Sequence, residues 1–174
     1  MNGTNLRRKM GNTNNCDYRV SLIIPIYNKA EWLDTCFQSI LNQSIDPQMV
    51  EVLMIDDGSE DNSLDIMKRY SEKYSNFKCY TKENGGPAQA RNFGIKHATG
   101  KYLMYLDPDD YLGKNTIESV CNFFDRHYDE IDVVTYKIIP IKDGEEQDLH
   151  FRYEVLKSQG VYDLTEPENS FICH

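Results

Sequence analysis

Five consecutive apolar and aromatic residues, Tyr102-Leu-Met-Tyr-Leu106, run straight into three carboxylates, Asp107, Asp109 and Asp110, with Pro108 between the first two. A short apolar run without polar alternation suits a strand buried on both faces, as in parallel sheets. Pro108 has a fixed φ and no N–H, so the ladder is expected to stop there. The strand thus delivers its carboxylates to its C-terminal end. Asp107 and Asp109 are two apart, and an extended backbone puts their side chains on one side. Carboxylates so placed repel each other unless something positive lies between them. Their hard oxygens suit Mg²⁺ or Mn²⁺, ions that take one or two carboxylates together with phosphate oxygens. The plain alternative is an acidic turn, since Asp and Pro are both common turn residues.

Two earlier stretches repeat the pattern of an apolar run ending in polar residues. Val20-Ser-Leu-Ile-Ile-Pro-Ile26 is followed by Tyr27-Asn28, and Val50-Glu-Val-Leu-Met-Ile55 by Asp56-Asp57-Gly58-Ser59. Between them Ala30, Leu33, Phe37, Ile40 and Leu41 recur at helical spacing, with Asn28 and Glu31 placed as a capping pair. Ser59 or Asp61 is positioned to cap a second helix whose buried face carries Leu64, Met67 and Tyr70. A shorter strand spans Phe77 to Thr81. The loop Glu83-Asn-Gly-Gly-Pro87 opens a third helix, with Pro87 at its first position and Thr99-Gly100 at its end. Its glycines allow close backbone approach, and its N-terminus favours an anion.

Beyond the carboxylates, Asn115 is expected to cap a helix with Ile117, Val120, Cys121, Phe124 and Tyr128 on its inner face. Asp132 to Ile139 reads as a strand. Asp143-Gly144 reads as a hairpin turn, with Leu149 to Val155 returning and Glu145-Glu146 in a solvated turn. Trp32 is expected to pack rather than to present a flat surface. Strands and helices alternate, so the expected class is α/β with a mostly parallel sheet flanked by helices. In such sheets ligands bind outside the carboxyl ends of the strands, where all three polar clusters fall.

Composition narrows the partners. The 174 residues carry a formal charge of −9 and no lysine- or arginine-rich run, which excludes a basic nucleic-acid face. No stretch approaches the ~18 apolar residues of a membrane span, and the N-terminus has no apolar leader core. Residues 1–18 are polar and read as a flexible tail. The five dispersed cysteines lack C-x-x-C spacing, which points to a reduced, cytoplasmic setting and away from zinc. Membrane association is expected only through other segments or partners.

Four motifs in order resemble those of the family 2 glycosyltransferases of the GT-A fold. They are Val20-Ser-Leu-Ile-Ile-Pro-Ile-Tyr-Asn28, Ile55-Asp-Asp-Gly-Ser-Glu-Asp61, Asn84-Gly-Gly-Pro-Ala-Gln-Ala-Arg-Asn-Phe-Gly94 and Tyr105-Leu-Asp-Pro-Asp-Asp110. The likeness covers roughly residues 20–112. It implies a Rossmann-like GT-A domain over 19–174 that uses a nucleoside diphosphate sugar, most often a UDP-sugar, in polysaccharide or glycoconjugate synthesis. By that resemblance Pro25, Tyr27 and Asn28 line the nucleoside pocket, and Asp56 or Asp57 accepts a hydrogen bond from the base. Asn84, Gly85, Gly86 and Arg91 flank the nucleotide. Asp107 and Asp109 match the family's Asp-x-Asp, with Asp109 the metal contact and Asp107 shared between metal and nucleotide; the cofactor is Mn²⁺ or Mg²⁺. Asp110 supports them by hydrogen bonding.

The resemblance further implies inversion at the anomeric carbon, with a carboxylate base taking the acceptor's proton. The family's base lies well past the Asp-x-Asp, and no matching acidic pair follows Val155; only Asp163, Glu166 and Glu168 remain. The catalytic residue is therefore unassigned and the acceptor unknown. The expectation is an N-terminal part of a longer enzyme, ending at Ser170-Phe-Ile-Cys-His174, that self-associates through its truncated end. Two other readings compete. A sugar nucleotidyltransferase would want a glycine-rich basic loop where Tyr27-Asn28-Lys29 stands. A non-catalytic nucleotide-sugar-binding module would need no base.

Overall fold

A computed structural model describes residues 18–128, together with 133, 139, 141–142 and 145–146. The polar tail over 1–17, the body of the strand expected over 132–139, the returning strand over 149–155 and the C-terminal stretch to residue 174 lie outside the described residues. The chain divides into two compact units, the first ending at Phe123 and the second beginning at Phe124.

The first unit is built on four strands, β1 (Val20–Ile26), β2 (Val50–Asp56), β3 (Phe77–Thr81) and β4 (Tyr102–Tyr105). They lie in the order β3-β2-β1-β4. Every pairing is parallel, with Val20 opposite both Val50 and Tyr102. The helices are α1 (Ala30–Leu41), α2 (Ser63–Lys73), α3 (Pro87–His97) and α4 (Thr116–Arg126), the last crossing the unit boundary. A one-turn 3₁₀ helix, Pro47–Met49, leads into β2. The expected α/β class, with a parallel sheet flanked by helices, is thus what the chain forms.

Strand periodicity sorts the sheet's two faces. On one face Ile23, Leu53 and Ile55 meet Ala90 of α3 in a core cluster. This contact depends on Gly94, since a Cβ there would stand 2.5 Å from Ile23 Cγ2. On the other face Phe37 of α1 stacks edge-on with Tyr70 of α2 and Phe77 of β3, at centroid distances of 4.7 and 5.8 Å. β1 and β2 are buried along their whole length, which is why their sequences read as apolar runs, interrupted inside only by Ser21 and Glu51.

β4 departs from the reading of a strand buried on both faces. Tyr102 and Met104 are buried, whereas Leu103 and Tyr105 are exposed. Among the described residues β4 is an edge strand, and Leu103 and Tyr105 share the α3 face of the sheet at its margin. Trp32 is likewise 45% exposed instead of packed, and Tyr128, expected on the inner face of the fourth helix, lies beyond its end at Arg126 and is exposed. The second unit holds a two-residue pairing, β5 (Ile141–Lys142) with β6 (Glu145–Glu146), antiparallel with Lys142 opposite Glu145. The hairpin signal is confirmed, but Glu145 and Glu146 form its return arm rather than a solvated turn.

One buried charge ties the N-terminal end of the sheet together. Glu51 is fully buried, accepts hydrogen bonds from Ser21 Oγ and the Thr99 N–H (2.8 Å) and hydroxyl (3.0 Å), and pairs with Lys78 Nζ at 2.8 Å. Burial opposes its ionisation, but Lys78, Ser21 and Thr99 outweigh that and hold the carboxyl below its ordinary range. Its contribution is therefore present above the unfolded-state pKa and lost as pH falls through the lower folded value. Glu51→Ala should cost about 2–3 kcal/mol by leaving Ser21 and Thr99 donors unmatched. Urea denaturation at pH 7 would measure it.

Candidate functional site

From β1 the sheet is laid down toward β2 and β3 on one side and β4 on the other. The rim outside β1 and β4 is a topological switch point, where open α/β sheets form a ligand crevice. Pro25 lies next to it. Ile23 accepts the Leu106 N–H (3.2 Å) on the β4 side, whereas Ile26 accepts the Asp57 N–H (2.8 Å) on the β2 side. Alternation turns Pro25 toward β4, and β4 pairs no further than Tyr105 opposite Ile23. The missing N–H of Pro25 falls where no ladder bond is lost.

A cleft of about 150 Å³ opens at this rim, lined by Pro25, Ile26, Tyr27, Asp57, Asn84, Gly86 and Pro87. The two adjacent aspartates, left unseparated by the sequence, have different surroundings. Asp56 is inside, accepting the Ser59 N–H at 3.1 Å and the Thr81 hydroxyl at 2.9 Å. Asp57 faces the cleft. Its oxygens take the N–H groups of Gly85 (3.1 Å) and Gly86 (2.7 Å), and Lys82 Nζ pairs with it. Gly86 sits at φ +84°, a conformation that favours glycine, and precedes Pro87 at the start of α3. Asp57 thus anchors the turn that aims the α3 N-terminus at the cleft.

Asn28 does not cap α1 locally. Its φ is +50°, tolerable for Asn, and its Oδ1 accepts the N–H groups of Glu60 (2.8 Å) and Asp61 (3.3 Å) across the rim. In return Asp61 accepts the N–H groups of Ala30 (3.0 Å) and Ser63 (2.9 Å), at the starts of α1 and α2. Ser59 and Ser63 hydroxyls accept the N–H groups of Asn28 and Lys29, both at 3.0 Å. The loops after β1 and β2 form a reciprocal lock, with both helix starts capped by Asp61. Asp61 was one of the two residues expected to cap α2; its role for α1 carries no local sequence signal.

The carboxylates after β4 are not extended. Asp110 N–H bonds back to the Asp107 carbonyl at 3.0 Å, closing a turn around Pro108 and Asp109. Two cations from different elements neutralise them. Arg91 on α3 pairs with Asp107 at 2.6 Å, and Lys29 pairs with Asp109 at 2.7 Å. Lys29's hydrogen bond holds the Asp109 carboxyl below the usual range, and the Lys29 ammonium is raised in turn. Asp110 is shifted the other way, first by partial burial and then by the neighbouring Asp109 and Asp107 charges. The nearby Cys36 thiol is pushed up to about 12, chiefly by burial; it is an inert core group.

The donor set fits a divalent cation. Asp107 and Asp109 present hard oxygens at an open rim, and each already balances a positive charge. Among the described residues no group of three His, Cys, Asp or Glu converges, so an ion here would share its coordination with substrate oxygens, as Mg²⁺ commonly does. Arg91 reaches Asp107 from α3, one turn beyond Pro87 of the cleft.

The sequence model of glycosyl transferase family 2 matches residues 21–174. The chain belongs to this family. The minor teichoic acid biosynthesis protein GgaB of Bacillus subtilis is 43% identical over 128 residues, 73% of this chain but 14% of GgaB. Among solved structures, S. aureus TarS 1-349 in complex with UDP superposes with a TM-score of 0.59 at 32% identity, covering 63% of this chain and 33% of that one. The mannosyltransferase PcManGT from Pyrobaculum calidifontis, in complex with GDP-Man and Mn²⁺, gives a TM-score of 0.56 at 25% identity, covering 61% and 32%. The chain thus spans about a seventh of GgaB's length. No helix among the described residues is long and apolar enough to cross a membrane.

Pro25, Tyr27, Asp57, Asn84 and Gly86 come together in the cleft, with Gly85 beside them, while Arg91, Asp107 and Asp109 form the charged margin. Asp56 and Asn28 are spent on internal bonds. Lys29, Asp61 and Lys82 were not singled out as site residues, because an isolated lysine or aspartate has no local signature; only its partner reveals it. Asp61→Ala should cost about 1–2 kcal/mol through two lost caps. Burial disfavours ionised Asp61, but the Ser63 hydroxyl and the Ala30 and Ser63 N–H groups depress its pKa overall. The cap's stabilisation therefore holds above pH ~4 and fades as pH falls through Asp61's lower folded value. Thermal denaturation from pH 3 to 7 should show that acid-side slope in wild type and a shallower one in Asp61→Ala.

Proposed function

We propose that this chain supplies the donor half of an inverting glycosyltransferase, binding a UDP-sugar with a divalent cation for transfer to an acceptor hydroxyl. The observation that carries the reading is the joining, at one switch-point rim, of a cleft capped by the Asp57-anchored Gly85-Gly86 turn with the Asp107/Asp109 margin. The TarS complex with UDP supports a uridine nucleotide, and the PcManGT complex with GDP-Man and Mn²⁺ supports a divalent cation alongside the nucleotide sugar. Tyr27, Pro25 and Asn84 would enclose the nucleoside, with Asp57 holding the turn against it. Arg91 would offer a planar fork to phosphate, and Asp107 and Asp109 would hold the Mn²⁺ or Mg²⁺. When bound, the ion would neutralise charge on the departing diphosphate. The likeness to GgaB, a minor teichoic acid biosynthesis protein, supports a cell-surface polymer as the acceptor class, and the site is proposed to work at the cytoplasmic side. The base and acceptor-binding elements are assigned to residues beyond the described unit, and a single GT-A domain over 19–174 remains part of this proposal.

Family membership weighs against the nucleotidyltransferase reading. A non-catalytic binding module is separated by assay: turnover of UDP-sugar with acceptor, by a chain that includes the C-terminal segments, contradicts it.

Calorimetry of UDP with and without Mn²⁺ tests the proposal. Wild type should bind UDP more tightly with the ion, and Asp109→Asn should abolish that gain while circular dichroism stays unchanged. An equal metal-dependent gain in Asp109→Asn would sink the metal assignment. Arg91→Ala should weaken UDP binding by about 1–3 kcal/mol. It should leave stability within ~1 kcal/mol, because its half-exposed pair with Asp107 contributes little to folding.

A further inference from the structure

The Lys29–Asp109 pair has no evident place in the stability of the fold. Both side chains are substantially exposed, 36% and 45%, and exposed pairs are worth little. Yet the lysine backbone is firmly held. Its N–H donates to Ser63 Oγ at 3.0 Å, its carbonyl accepts the Trp32 N–H at 2.9 Å, and Asn28 before it is locked to the second loop. A fixed backbone at the end of β1 thus sends one ammonium across the switch point to the turn after β4.

The charges around that turn limit what can enter it. A divalent cation on Asp107 and Asp109 must take the carboxylates that Lys29 and Arg91 now hold. Both side chains would then be cations beside a cation, a repulsive arrangement without an added anion. A diphosphate supplies that anion, and an ammonium on a flexible stem suits it as a movable point charge.

We propose that Lys29 is a diphosphate-binding residue that, without nucleotide, occupies Asp109 and keeps the divalent cation out. When the diphosphate arrives, Lys29 moves from carboxylate to phosphate and releases Asp109 to the ion. Ion and nucleotide then bind with reciprocal positive coupling, each raising affinity for the other by the same factor. This inference rests on the nucleotide-sugar reading above and adds a residue and an order of events to it.

The test compares wild type, Lys29→Met and Lys29→Arg in the 174-residue chain. Mn²⁺ binding without nucleotide is followed by the loss of the free-ion electron paramagnetic resonance signal. UDP binding in Mn²⁺ buffer is followed by calorimetry, and uridine binding by ligand-observed NMR. Lys29→Met should bind Mn²⁺ alone about fivefold more tightly, the scale of one nearby solvated charge. It should bind UDP about tenfold to a hundredfold more weakly and uridine as wild type does. Lys29→Arg should restore both values toward wild type. Opposite movement of the Mn²⁺ and UDP affinities is the signature. If only one of them moves, or neither, the exchange is overturned. Parallel loss of UDP and uridine affinity would mark loop damage and overturn it as well. Wild type that takes up no UDP would overturn the nucleotide-sugar reading and this inference with it, whereas equal UDP affinity in wild type and Lys29→Met overturns this inference alone.

Discussion

The position of β1 between β2 and β4, paired in parallel with both, is the constraint from which the rest of this structure follows. A parallel neighbour can be reached only by a crossover, so each strand must be followed by a helix on a face of the sheet. All carboxyl ends then point to one rim. Because the winding reverses at β1, the helices on its two sides diverge and a crevice is left between them. β4 ends three residues short of β1 and Pro25 offers no donor there, so the sheet cannot zip further and close that crevice.

What surrounds the crevice is held by polar contacts from distant parts of the chain. Asp61 caps α1 from 31 residues away, and Gln43 Oε1 accepts the Ile117 N–H at the start of α4 from 74 residues away. Asp57 carries the Gly85-Gly86 turn. No buried side-chain polar atom among the described residues is left without a partner. Such saturation keeps loops in one conformation, because a displaced donor would forfeit a bond that solvent cannot replace in a buried setting. The half-exposed carboxylates of Asp107 and Asp109 differ: their partners are two long cations that are themselves partly exposed to water. The rim thus combines a rigid cradle with an exchangeable margin, an arrangement suited to a charged ligand that must enter and leave.

Membership of glycosyl transferase family 2 and the likeness to a UDP-bound neighbour agree with this division of labour. In the proposed function the first unit takes the nucleotide side of the reaction. The chain spans 14% of the length of GgaB and 33% of TarS 1-349.

The sequence alone determined the elements and the rim. Val20–Ile26 and Val50–Ile55 announce buried parallel strands, and the alternation with helical spacing announces the crossovers. Polar residues right after each run place Tyr27, Asp57 and Asp107 at the carboxyl ends, because these are properties of consecutive residues. Only the tertiary structure decided which groups answer which. It turned Asp57 to the cleft and Asp56 inward, and took Asn28 away from its own helix. It also left Leu103 and Tyr105 of β4 exposed and set Lys29 against Asp109 across 80 residues. Each of these outcomes is a choice among several chemically equivalent partners, and the choice is made by proximity after the sheet has formed.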